Sequence, residues 1–102
     1  MKQSQTILPS IGFVSTYPPT VCGLATFTAA LRGATADERG SEEDLEVVSL
    51  GDSRLQRSRP EVVFQHVNGD RSSLQQAVRI LNRHDIVFFQ HEYGIYGGPD
   101  GD

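Results

Sequence analysis

The sequence predicts an α/β fold: a partial parallel sheet of about four strands, in the order 3-2-1-4, with flanking helices. Three observations predict it. Short apolar runs stopped by turn residues recur at 11–15, 45–50, 61–67 and 86–89, as expected of strands covered on both faces. Two of the intervals between them carry apolar residues at helical spacing. Strands that alternate with helices pair in parallel through right-handed crossovers.

Ile11-Gly12-Phe13-Val14-Ser15 opens the pattern and is stopped by Tyr17-Pro18-Pro19, which excludes helix and forces an extended loop. After Gly23, Leu24, Phe27, Leu31 and Ala34 fall on one apolar helix face, with Gly33 as a weak point and Gly40 to Asp44 as a solvated loop. Leu45 to Leu50 gives the second strand, ended by Gly51-Asp52, and the stretch to Pro60 is polar and irregular. Glu61 to Val67 forms a short third strand interrupted by Gln65 and His66. Asn68-Gly69-Asp70 marks a turn, and Asp70 or Ser72 can cap a helix whose apolar positions are Leu74, Ala77, Val78 and Leu81. Ile86 to Phe89 is the strongest strand, and it runs directly into Gln90-His91-Glu92-Tyr93-Gly94 and a glycine-rich tail.

Composition narrows the function classes. A chain of 102 residues is one domain at most. A hydrophobic fraction of 37% and a charged fraction of 22% argue against disorder and against a membrane protein. The net charge of −4, with no basic stripe, argues against nucleic-acid binding. Cys22 is the only cysteine, so no internal disulfide can form, and the expected location is cytoplasmic. No apolar run has the length of a signal peptide or a span, and nothing supports a peripheral membrane contact.

In open α/β sheets a ligand lies beyond the carboxyl ends of the strands, where the strand order reverses. In a 3-2-1-4 sheet the strands at 11–15 and 86–89 are neighbours at that reversal, so loops 16–23 and 90–98 would face one crevice. The first is a strand, a loop and a helix start containing Gly23, a ready anion site. It lacks both the dinucleotide glycine signature and the P-loop lysine, so an ordinary turn fits equally well. Cys22 sits at that helix start, but no acid–base partner can be assigned to it, which favours a bland small residue. His91 and Glu92 leave the fourth strand at its carboxyl end, where a His beside a carboxylate suits acid–base work, substrate orientation or simple packing. His66, His84, His91 and Cys22 show no zinc-type spacing, so no metal is expected. Tyr93, Ile95 and Tyr96 alternate with glycines, which suits a sugar-stacking loop or packing over a sheet edge.

Two segments together carry a resemblance. Ile11 to Pro19 followed by Cys22-Gly23-Leu24-Ala25-Thr26-Phe27-Thr28 resembles the opening of bacterial retaining glycosyltransferases of family 4, the "group 1" family with the GT-B fold. Val87 to Gly98, with Gln90-His91-Glu92-Tyr93-Gly94 at its centre, looks like a second signature of that subgroup. The resemblance implies a Rossmann-like, acceptor-side N-terminal domain facing a donor-binding C-terminal domain across a cleft. It implies that Gly23 and its neighbours Cys22 and Thr26 approach the donor diphosphate. It also implies that His91 lies near the reacting sugar and that Glu92 orients it. The implied substrates are a nucleotide-sugar donor and a sugar or lipid-linked acceptor, with retention of configuration and neither cofactor nor metal. The basic residues and paired glutamates of the family's C-terminal domain have no counterpart in these 102 residues, so the chain alone is expected to be inactive. A small α/β binding or interaction module that has lost the chemistry is the alternative. A flavodoxin-like or response-regulator-like domain is disfavoured, because it needs a fifth strand and an acidic or phosphate site. A partial sheet would also leave Ile86–Phe89 near an unprotected edge, which predicts marginal stability or self-association.

Overall fold

A computed structural model describes residues 8–20, 22–54 and 58–90. In chain order these form β1 (Ile11–Ser15), α1 (Gly23–Arg39), β2 (Leu45–Gly51), β3 (Val62–Val67), α2 (Arg71–Leu81) and β4 (Ile86–Phe89). The strands make one four-stranded sheet in the order β3-β2-β1-β4, and every pairing is parallel. This is the Rossmann-like arrangement that the strand–helix alternation predicts.

Register explains how the layers form. Phe13 pairs with Val47 on one side and Phe88 on the other, and the Phe13 and Phe88 rings meet edge to face at 5.8 Å. Phe13, Val47, Leu45, Tyr17 and Ala36 of α1 form the buried core, against which Leu31, Ile11 and Val62 pack. Gly12 is one residue earlier and therefore points to the opposite face, where a Cβ would meet Leu81 Cδ2 at 2.9 Å and His84 Cδ2 at 3.1 Å. α1 and the end of α2 thus cover opposite faces of β1. Gly12 permits the close approach of α2, and replacing it with Val should destabilise the chain by about 1–3 kcal/mol through overpacking. A thermal or urea titration of the variant checks this, and an unchanged midpoint would show that the helix end can move away freely.

The helices are capped by their own sequence. The Asp70 side chain accepts from Ser73 N–H at the start of α2, which resolves the choice between Asp70 and Ser72. α1 runs through Gly33 to Arg39 and ends at Gly40, whose φ of 73° is the left-handed conformation that glycine tolerates. His84 follows α2 in a turn, where its Nε2 lies 2.8 Å from Glu46 Oε1 on β2.

The buried side of α1 differs from the apolar face read from the sequence. Ala25, Thr28, Arg32 and Ala36 are buried, whereas Phe27 and Ala34 are exposed and Leu24 and Leu31 lie at the margin. Polar partners make the difference. Thr28 donates to Ser15 Oγ at 3.0 Å. Arg32 donates to the Leu45 carbonyl at 2.8 Å and to Glu42 at 3.1 Å, and its aliphatic stem packs where a hydrophobic residue would otherwise sit.

The far side of the sheet is different. Leu74 and Val78 of α2 and, on the Gly12 face of β4, Val87 and Phe89 are exposed, Phe89 by 57%. β4 is the outer strand beside β1, as the sequence predicts, and apart from the half-buried Phe88 its apolar side chains are exposed. Among the described residues, no helix is long and apolar enough to cross a membrane.

Candidate functional site at the carboxyl edge

β1 delivers Thr16 to the carboxyl edge, and the chain then folds back. Tyr17 is 1% exposed, with its ring in the core rather than in the crevice. Its hydroxyl donates to Glu61 Oε2 at 2.7 Å, and the Arg59 guanidinium lies 5.9 Å from the ring centre. Burial, followed by the hydrogen bond and charge of Glu61, pushes the Tyr17 phenol well above its ordinary range. The Pro18–Pro19 peptide is cis, and Thr20 N–H closes a turn on the Tyr17 carbonyl at 3.0 Å. Loop 16–20 is therefore anchored by a buried aromatic side chain.

Cys22 caps α1. Its backbone is extended, and its Sγ accepts from Ala25 N–H at 3.3 Å and lies 3.3 Å from Thr16 Oγ1. A thiol here does the work usually done by Ser, Thr, Asp or Asn, with a weaker acceptor. Thr26 Oγ1 is committed to the Cys22 carbonyl at 3.1 Å. Gly23 is the first residue of α1, and a Cβ built on it meets nothing within 4 Å. Neither packing nor backbone conformation requires glycine at this position. The space above it is open, and the Gly23 and Leu24 amides belong to the helix turn whose N–H groups have no partner within the helix.

The switch point is formed as the strand order requires. Val14 pairs with Phe89, and Gln90 N–H donates to the Val14 carbonyl at 2.9 Å, so the chain up to Gln90 runs alongside the end of β1. His91, Glu92 and the rest of loop 91–98 lie outside the described residues. Cys22, Gly23 and Thr26 are brought together at the start of α1. Among the described residues, no three His, Cys, Asp or Glu side chains converge to hold a metal ion.

A second feature was not legible in the sequence. A cavity of about 240 Å³ opens above the carboxyl ends of β1, β2 and β3, lined among others by Thr16, Ser49, Asp52, Gln65 and His66. Its rim is tied together by polar contacts. Asn68 Nδ2 donates to Asp52 Oδ1 at 3.0 Å. Ser73 Oγ accepts from Val67 N–H at 2.9 Å and lies 2.8 Å from His66 Nδ1. Gln65 and His66, which interrupt the apolar run of the third strand, are the residues that reach this cavity. That interruption was the available signal.

Comparison with known proteins finds no matching family model, no matching curated protein and no matching solved structure.

Proposed function

We propose that the chain is the acceptor-side, Rossmann-like part of a retaining glycosyltransferase that takes its sugar from a nucleotide-sugar donor. The observation that carries this proposal is the adjacency of β1 and β4 at the switch point, with the start of α1 open at Gly23. Cys22 already occupies Ala25 N–H, so a donor diphosphate would meet the amides of Gly23 and Leu24, where the helix dipole favours negative charge. As the bond between sugar and diphosphate breaks, the charge growing on the leaving group would be stabilised by these fixed donors. His91 would position the reacting sugar, with Glu92 orienting it. Thr26 supports the cap through its bond to Cys22. Most donor contacts would come from a second α/β domain, which would complete the cleft.

Gly23→Val separates this role from a structural one. A Cβ at this position meets nothing within 4 Å, so stability should stay within about 0.5 kcal/mol. In the product of the full reading frame, the donor KM should rise about tenfold or more, because bulk would stand where the diphosphate must approach. Unchanged transfer kinetics in Gly23→Val would remove the diphosphate from this end of α1. The alternative, a module that only binds, would use the polar cavity above β1–β3.

A further inference from the structure

The turn between β3 and α2 carries a reactive pair. Asn68-Gly69 is the one Asn-Gly pair in the sequence. Where glycine follows asparagine, no Cβ shields the next amide nitrogen, which can lose its proton and attack the side-chain carbonyl. Gly69 is exposed, and a Cβ built on it meets nothing within 4 Å. Its N–H donates no hydrogen bond among the described residues. The nucleophile is therefore open to solvent.

The folded turn opposes the reaction. Asp70 N–H donates to the Val67 carbonyl at 3.0 Å, and Gly69 has a φ of 84° while Asn68 stays outside the left-handed region. This is the pattern of a type II turn, in which the residue before the glycine has a ψ of about +120°. That ψ turns the Gly69 nitrogen away from the Asn68 carboxamide. Ring closure needs the peptide to rotate, which breaks the bond between Asp70 and Val67 and moves Asp70 off its cap on Ser73 N–H. The carboxamide is held as well, since Asn68 Nδ2 donates to Asp52 Oδ1 at 3.0 Å. Asn68 N–H is fixed on the Gly51 carbonyl at 2.7 Å.

We propose that Asn68 is a site of spontaneous deamidation, gated by this turn and by its tether to Asp52. Hydroxide takes the Gly69 amide proton, and the nitrogen forms a bond to Asn68 Cγ. The Cγ–Nδ2 bond then breaks, and ammonia leaves with a proton taken from water. A water molecule opens the cyclic imide at either carbonyl, leaving aspartate or isoaspartate at position 68. The product cannot restore the tie, because a carboxylate donates no hydrogen bond and would meet the like charge of Asp52. Modification thus releases the turn after β3 from the end of β2, at the rim of the cavity. The proposal holds whether or not the chain takes part in sugar transfer.

Mass-detected peptide mapping of the 102-residue chain, held at mildly alkaline pH with and without urea, tests it. Position 68 should convert readily in urea, with isoaspartate among the products, and at least about tenfold more slowly in the folded chain, where local opening must come first. Asp52→Ala should speed the folded chain's conversion about three- to tenfold, the weight of one hydrogen bond, and leave the rate in urea unchanged. If Asp52→Ala lowers global stability, the comparison of folded and urea-treated wild type still decides. No conversion at Asn68 in urea, or equal rates with and without urea, would overturn the proposal. A folded Asp52→Ala chain that converts at the wild-type rate would overturn the gating by the tether.

Discussion

Replacing His91 with alanine should lower the sugar-transfer rate of the full reading-frame product by about 10²–10³-fold, roughly 3–4 kcal/mol of lost transition-state stabilisation. Folding and donor affinity should change little. β4 ends beside β1 where the strand order reverses, with Gln90 N–H bonded to the Val14 carbonyl. Under the proposed function, a hydrogen bond from His91 would act on the reacting sugar rather than on the nucleotide, so its loss should appear in kcat more than in the donor KM. Steady-state kinetics with each substrate varied in turn, together with a melting curve, separate the two. Wild-type kcat in His91→Ala would reduce the residue to packing. A matching fall in thermal midpoint would assign it to stability.

Tyr17→Ala should cost about 3–5 kcal/mol, the range for truncating a buried aromatic, against a total of about 5–15 kcal/mol for a typical domain. The side chain is fully buried between Phe13 of β1 and Ala36 of α1, and its hydroxyl bond to Glu61 ties the loop after β1 to the start of β3. The same contacts make stability sensitive to alkali. Burial and Glu61 both raise the phenol pKa in the folded state, so the folded chain favours the neutral form. The resulting stability is fully present below the free tyrosine value of about 10 and is lost as pH rises through and beyond it. Tyr17→Phe keeps the ring, should cost only about 1 kcal/mol at neutral pH, and should remove this residue's share of the alkaline loss. Urea unfolding at neutral pH and above about pH 10 checks both variants. A Tyr17→Ala chain as stable as wild type would mean that the loop does not depend on its anchor.

How much of this was readable beforehand depends on where the deciding contact lies. β4 and β2 are runs of Val, Ile, Leu and Phe, and their type and order follow from local composition and from the alternation with helices. The buried face of α1 was not readable. Arg32 and Thr28 are polar in isolation and become core residues only because Leu45, Glu42 and Ser15 receive their hydrogen bonds. Tyr17 next to two prolines reads as part of an extended loop, and its hydroxyl partner Glu61 is 44 residues away. Nothing in the sequence singles out Gly12, whose role is to let Leu81 and His84 approach. The polar cavity is the hardest case. Ser15 and Ser49 look unremarkable in their strands, Gln65 shows only as an interruption of the third, and only the parallel register sets the three level. At the start of α1 the sequence did mark Cys22, Gly23 and Thr26, but it could not separate two residues committed to capping from one that leaves open space.

The central claim is that this sheet and its switch point serve sugar transfer from a nucleotide sugar, and a mass-detected transfer assay tests it most directly. The product of the full reading frame and the 102-residue chain would each be incubated with a panel of nucleotide sugars and with sugar and lipid-linked acceptors. The proposed function predicts transfer with retained anomeric configuration from at least one donor by the full product, and none by the 102-residue chain. No transfer from any donor by a folded full product, or transfer with inverted configuration, would contradict it.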